Sequence, residues 1–174
     1  WCIMDNHVHL LLETGYTSLA EFMRKLLTGY AIYYNRKYNR VGYLFQNRYK
    51  STVCDKDAYF LSLIRYINLN PVKAKVITLS ELTKYDWTSH RDVLFNNDSF
   101  VEREEILSYF GNIEKEALKA YVDFVNTGLN SEDNFEGGGL IRSAGGLTNV
   151  LKRKNTEKEL YDDRILGCGG FVDK

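Results

Sequence analysis

The sequence predicts an α+β chain, and three observations carry that prediction. A short apolar stretch containing β-branched Ile3 and Val8 surrounds Asp5-Asn6-His7-Val8-His9 and reads as a mostly buried strand. Two runs, from Leu19 and from Tyr59, repeat apolar residues with the 3.6 period of an amphipathic helix. A third such run extends from Ile113 to Asn126.

Strand alternation puts His7 and His9 on one face, with Val8 turned the other way into the core. Two imidazoles on one face are what a metal asks of a strand, and equally what a hydrogen-bonded pair of core histidines would look like. Gly15 and Thr17-Ser18 then supply a turn and an N-cap, with Glu21 in the first turn. Leu19, Phe22, Met23, Leu26, Leu27, Tyr30, Tyr33 and Tyr34 form a stripe expected to be core, while Arg24, Lys25, Arg36, Lys37 and Arg40 occupy the polar face and exit. Asn39 to Gly42 reads as a turn, and Val41 to Cys54 as an extended or bent strand pair. There Tyr43, Phe45 and Tyr49 alternate with Gln46, Arg48 and Lys50, which fits either an unpaired nucleic acid or a half-buried strand with a solvated basic face.

A helix opening at Asp55–Asp57 buries Tyr59, Phe60, Leu61, Leu63, Ile64 and Ile67, and the chain's only proline, Pro71, is expected to end it after Asn70. Tyr66 and Asn70, four apart, share one helical face. A buried Tyr bonded to a nearby Asn would explain that spacing structurally. Further on, Leu79 to Asp86 holds a short helical turn and Trp87-Thr88-Ser89-His90-Arg91 a compact loop or cap, with His90 as a surface or capping residue. Ser99 and Glu102 form a capping box. The Ile113–Asn126 helix buries Ala117, Leu118, Tyr121, Phe124 and Val125, and Gly128 caps it. Residues 130–146 turn to Gly, Ser, Asn and acids and read as a linker. Thr156 and Glu159 open a last short helix reaching Leu166.

Net charge is zero over 174 residues, but unevenly: residues 1–75 carry 11 Lys/Arg against 5 Asp/Glu, and residues 76–174 carry 12 against 18. That asymmetry suggests a basic binding surface beside an acidic appendage, and chance solvation of two faces would give the same totals. Cys2, Cys54 and Cys168 are too few and too scattered for a disulfide framework or a Cys-x-x-Cys site, which fits a reducing cytoplasm. No apolar run approaches the roughly 18 residues that span a bilayer, so no membrane is expected as a partner.

Three stretches taken together, Met4-Asp5-Asn6-His7-Val8-His9-Leu10-Leu11, Gly42 to Ser51, and Arg65-Tyr66-Ile67-Asn68-Leu69-Asn70-Pro71-Val72, resemble in order and spacing the REP-associated tyrosine transposases. These are single-tyrosine HUH endonucleases of the insertion-sequence transposase-like group. The resemblance covers roughly residues 1–95, with Trp87–Arg91 similar to a weaker Trp-Ser-Ser-Tyr-Arg element. It implies a ferredoxin-like or RRM-like HUH core, with a strand and helix ahead of Trp1, followed by a helical C-terminal extension. The division expected is a catalytic core over 1–95, a helical extension over 96–128, a Gly-rich linker over 129–146 and a short helical segment over 147–174.

Residue by residue, the resemblance assigns His7 and His9 to the metal-binding pair, Tyr66 to the nucleophile and Asn70 to a third ligand. Arg36, Lys37, Arg40, Arg48 and Lys50 are the expected phosphate contacts, and Tyr43 and Phe45 the base-stacking rings. Asp5 stands where members commonly have Pro, and Asn68 where they commonly have His; both are supporting positions, Asp5 on the His7 face of the strand. The implied activity is single-stranded DNA cleavage and strand transfer through a 5′-phosphotyrosine, with Mg²⁺ or Mn²⁺ and with hairpin or repeat ends as substrate. A monomer is favoured over a homodimer, in a cytoplasmic, nucleoid-associated setting. A phenol is a poor nucleophile at neutral pH, so such chemistry needs a polarised phosphate. Two other readings compete: a domesticated nucleic-acid-binding module with reduced turnover, suggested by Asn68, and a His-x-His metallohydrolase that uses water.

Overall fold

A computed structural model describes residues 1–96, 100–130, 135 and 165–166. They are mixed helix and short strand, in agreement with the α+β class. Two compact units result, one from Trp1–Leu11 and the chain from Val53 onward, the other from Leu12–Thr52.

In the first unit the His stretch is a hairpin rather than one strand. Strands β1 (Cys2–Ile3) and β2 (Val8–His9) pair antiparallel, Cys2 opposite His9 and Ile3 opposite Val8. Met4 N donates to His7 O at 2.9 Å across the turn. Asp5 and Asn6 are short polar residues suited to that reversal, so Asp5 sits in the turn and not on the face of His7. Val8, expected in the core, is 50% exposed; Cys2 is the buried residue, and burial pushes its thiol up to about 11. The other edge of β1 is taken by Trp87–Ser89: Ile3 N donates to Trp87 O at 2.8 Å, Ser89 N to Trp1 O at 2.9 Å, and Cys2 bridges Thr88. The segment expected as a loop therefore extends the sheet edge.

Helix α2 (Lys56–Lys73) packs against β1 and runs through Pro71, where the sequence reading had it stop. Proline removes one N–H, and the carbonyl it strands is that of Ile67. Asn70 Nδ2 reaches that oxygen at 3.4 Å and Tyr66 O at 3.1 Å, covering the gap. The helix ends instead in a Schellman arrangement: Lys75 at φ 59° donates to Val72 O, and Val76 N to Pro71 O at 2.9 Å. A 3-10 turn (Leu79–Lys84), α3 (His90–Phe95), α4 (Arg103–Ser108), α5 (Glu114–Thr127) and a second 3-10 turn (Gly128–Asn130) complete this unit's described helices.

Its core joins Ile64 and Leu69 of α2 to Leu82, Val93, Ile106, Leu107, Ala117, Tyr121 and Val125. The segment set apart in sequence as an extension thus shares one core with α2. Gly128 does cap α5, at φ −72°, and a Cβ there would collide with the stem of Arg65, whose guanidinium lies 4.5 Å over the Phe124 ring. Arg65 and Gly128 so clamp α5 onto α2. Strand β3 (Val53–Cys54) pairs in parallel with β4 (Ile165–Leu166), where a helix was expected. Ser99, the 131–134 and 136–146 parts of the linker, and the Thr156–Glu159 box lie outside the described residues.

His90, expected at the surface, is 2% exposed. Its Nδ1 lies 3.1 Å from Tyr121 Oη, which also accepts from Asn68 Nδ2 at 3.2 Å. The phenol therefore donates to Nδ1, which requires a neutral imidazole with its proton on Nε2. Burial lowers the His90 pKa from 6.5 to about 4. The unfolded chain binds this proton below pH 6.5 and the folded chain only below about 4. Stability from His90 is therefore complete above pH 6.5 and falls by about 3 kcal/mol as pH drops to 4. Urea unfolding between pH 7.5 and 4 should show this slope, and His90→Gln should flatten it; an equal slope in both proteins would remove His90 as its source.

In the second unit, α1 (Leu19–Lys37) begins as expected, with Ser18 Oγ accepting from Glu21 N. Its aromatic stripe is not core: Phe22, Leu26, Tyr30 and Tyr33 are exposed, and Met23 alone is buried among the described residues of the helix. The rings pack on one another, Tyr34 on Tyr38 at 4.5 Å and Tyr30 on Phe45 at 6.3 Å between centroids. The turn at 39–42 forms, with Asn39 at φ 50°, Gly42 at φ 103° and Asn35 Nδ2 donating to Gly42 O. The expected strand pair over 41–54 reduces to Val53–Cys54, because residues 41–52 pair with no described strand and Tyr43 stands 98% exposed.

Candidate active site

Three side chains from two elements converge in the first unit. His7 Nε2 and His9 Nε2 lie 3.0 Å apart. The His9 ring meets the Tyr66 ring edge-on, with centroids 5.9 Å apart. The tight turn and the β1–β2 register bring the two imidazoles together; α2, held on β1, brings Tyr66 to them.

His7 Nδ1 lies 2.6 Å from Asn6 Oδ1. An amide oxygen only accepts, so the His7 proton is on Nδ1 and its Nε2 lone pair accepts from His9 Nε2, the same lone pair a ligand would take. Asn6, inside the same motif, is thus an orienting residue for which the spacing alone gives no signal.

A 3.0 Å separation between two nitrogens equals the edge of an octahedron whose metal–ligand distance is about 2.1 Å. The pair therefore suits two adjacent positions on one divalent ion. Among the described residues no three His, Cys, Asp or Glu side chains cluster as a metal-holding group. Asn70 has the right chemistry for a third donor: its Nδ2 is spent on the Tyr66 and Ile67 carbonyls, which fixes the amide orientation and leaves Oδ1 as its acceptor. Asp5, in the turn, joins no such cluster.

Tyr66 is lined on other sides by Phe135, with centroids 5.2 Å apart, and by Lys73, whose Nζ is 5.6 Å from the ring centroid. Neither was foreseen. Lys73 falls on the same helical face as Tyr66 and Asn70, which spacing could have shown; Phe135, far along the chain, gave no signal.

Asn68 faces the other way. Two residues on from Tyr66, it is rotated about 200° around α2. It is 1% exposed, and its Oδ1 accepts from Thr88 Oγ1 at 2.6 Å and Ser89 Oγ at 2.9 Å. The position where the resemblance expects His is here a structural knot in the core.

The expected phosphate and base contacts, Arg36, Lys37, Arg40, Tyr43, Phe45, Arg48 and Lys50, all fall in the second unit. All are exposed; Arg40 lies over Tyr34 at 5.6 Å, Lys37 over Tyr33 and Tyr38 at 5.5 Å each. A shallow cavity there is lined by Gly29, Ile32, Tyr33, Arg36 and Lys37.

Residues 1–70 match the family model described as "Transposase IS200 like". That stretch carries His7, His9, Tyr66 and Asn70, and the match supports the transposase family and a function related to DNA transposition. No curated protein and no solved structure matches the chain. Among the described residues no helix is long and apolar enough to cross a membrane.

Proposed function

We propose that this chain cleaves single-stranded DNA and transfers the strand through a covalent 5′-phosphotyrosine on Tyr66, in the manner of REP-associated, HUH-type tyrosine transposases. The observation that carries this reading is the His7–His9 nitrogen pair with Tyr66 against His9. A phenol packed beside two convergent imidazoles is the combination a metal-assisted phosphoryl transfer requires.

His7, His9 and Asn70 Oδ1 would hold a divalent cation, Mn²⁺ or Mg²⁺. When bound, it supplies Lewis-acid polarisation of a non-bridging phosphate oxygen and neutralises charge in the transition state. Asn6 holds His7 in the ligating tautomer. Tyr66 oxygen attacks phosphorus in line; the O–P bond forms, the P–O3′ bond breaks, the phenol loses a proton and the departing 3′ oxygen gains one. The phosphotyrosine retains the bond energy, so no nucleotide is consumed and the 3′-hydroxyl can reverse the step on another strand end. The exposed cations and rings of residues 36–50 suit an unpaired strand, cations taking phosphates and rings taking bases. Asn68 lies on the far side of α2 from Tyr66, so its departure from His does not favour the inactive-module alternative.

The test is incubation with labelled hairpin-flanked single-stranded DNA and Mn²⁺, followed by a denaturing gel. A covalent protein–DNA band should form and be absent in Tyr66→Phe. Cleavage that survives Tyr66→Phe would point instead to attack by water.

A further inference from the structure

We propose that Lys73 binds a backbone phosphate of the DNA strand presented to Tyr66. This rests on the strand-transfer reading for its substrate. Residues 66, 70 and 73 stand at 0°, about 40° and about −20° around α2, so the nucleophile, the amide oxygen and this ammonium form one line along the helix. Lys73 Nζ is 5.6 Å from the Tyr66 ring centroid. Two other lysines are paired with carboxylates, Lys25 with Glu21 and Lys56 with Glu105. Among the described residues Lys73 has no carboxylate partner, and the Tyr66 ring is its contact.

A cation in the last turn of a helix also suits the helix dipole. That role is met by the chain alone and needs no neighbouring phenol. Attack on phosphorus leaves negative charge on the non-bridging oxygens, and an ammonium against the ring that carries the attacking oxygen can donate to one of them. The bonds made and broken remain those between phosphorus, Tyr66 and the 3′ oxygen. The position lies beyond the residues matched by the family model, which ends at 70.

The test reads contact and chemistry separately. In Tyr66→Phe, reductive ¹³C-dimethylation labels every lysine with its charge kept, and Lys73→Arg identifies the Lys73 resonance. Saturating hairpin-flanked single-stranded DNA should shift that resonance; an unmoved resonance overturns the proposal. In the otherwise unaltered protein at saturating DNA, Lys73→Gln should slow covalent product formation by about ten-fold, and Lys73→Arg should stay within about three-fold. Lys73→Gln acting at the parent rate would also overturn it. If the parent forms no covalent product while the Lys73 resonance still shifts, strand transfer fails and the phosphate contact stands.

Discussion

His9→Ala should reduce covalent product formation at least about 100-fold, with unfolding free energy changed by less than about 1 kcal/mol. His9 supplies one of the two convergent nitrogens and the ring against which Tyr66 packs, so its loss removes a proposed ligand and a wall of the Tyr66 setting at once. The side chain is half-buried at the edge of a two-residue strand, which keeps the structural cost low. His7→Ala removes the other nitrogen and leaves the Tyr66 contact, so it separates the two contributions. Its deficit should be recovered in part at higher Mn²⁺, whereas that of His9→Ala should not. Asn6→Ala, which frees the His7 tautomer, should raise the Mn²⁺ needed for half-maximal product by about ten-fold. Chelation of divalent ions should abolish product in every protein. Product formed by His9→Ala at the parent rate in limiting Mn²⁺ would exclude the pair as the metal site.

Asn68→Ala should destabilise the first unit by about 3 kcal/mol at pH 7. It strips acceptors from the Thr88 and Ser89 hydroxyls and a donor from Tyr121 Oη, all buried where water cannot replace them. Burial keeps the Tyr121 phenol protonated by pushing its pKa up, so that hydroxyl cannot relieve the loss by ionising. The effect should reach the candidate site by a traceable route. Thr88 bridges Cys2, Cys2 pairs with His9, and His9 meets Tyr66. Urea unfolding at pH 7 measures the stability, and product formation well below the transition measures the transmission. A change under about 1 kcal/mol would mean that water or a rearranged Ser89 meets these groups in the variant.

Asn68 also bears on how the departure from the family pattern should be read. By resemblance alone, Asn68 in place of the common His points to reduced turnover. On the helix the position points into the core, and Asn suits what it finds there: two hydroxyl donors for its oxygen and one phenol for its amide. His90 completes the same knot from the neighbouring element. Its burial was unreadable because a His flanked by Ser89 and Arg91 looks solvated until Tyr121, from a distant helix, is placed beside it.

By itself the sequence determined what depends on neighbours along the chain. The start of α1 at Ser18, the span of α5 and its cap at Gly128, and the shared face of Tyr66 and Asn70 all follow from local spacing and capping chemistry, whose partners lie within a few residues. The His-x-His spacing likewise announced two imidazoles on one face. Tertiary structure alone decided what depends on distant partners. It made a hairpin of the apparent strand, because β1 takes its other edge from Trp87–Ser89. It carried α2 through Pro71, because the Asn70 amide covers the stranded carbonyl. It left the aromatic stripe of α1 exposed and set Lys73 and Phe135 beside Tyr66. Periodicity states which residues share a face; only packing states what that face meets.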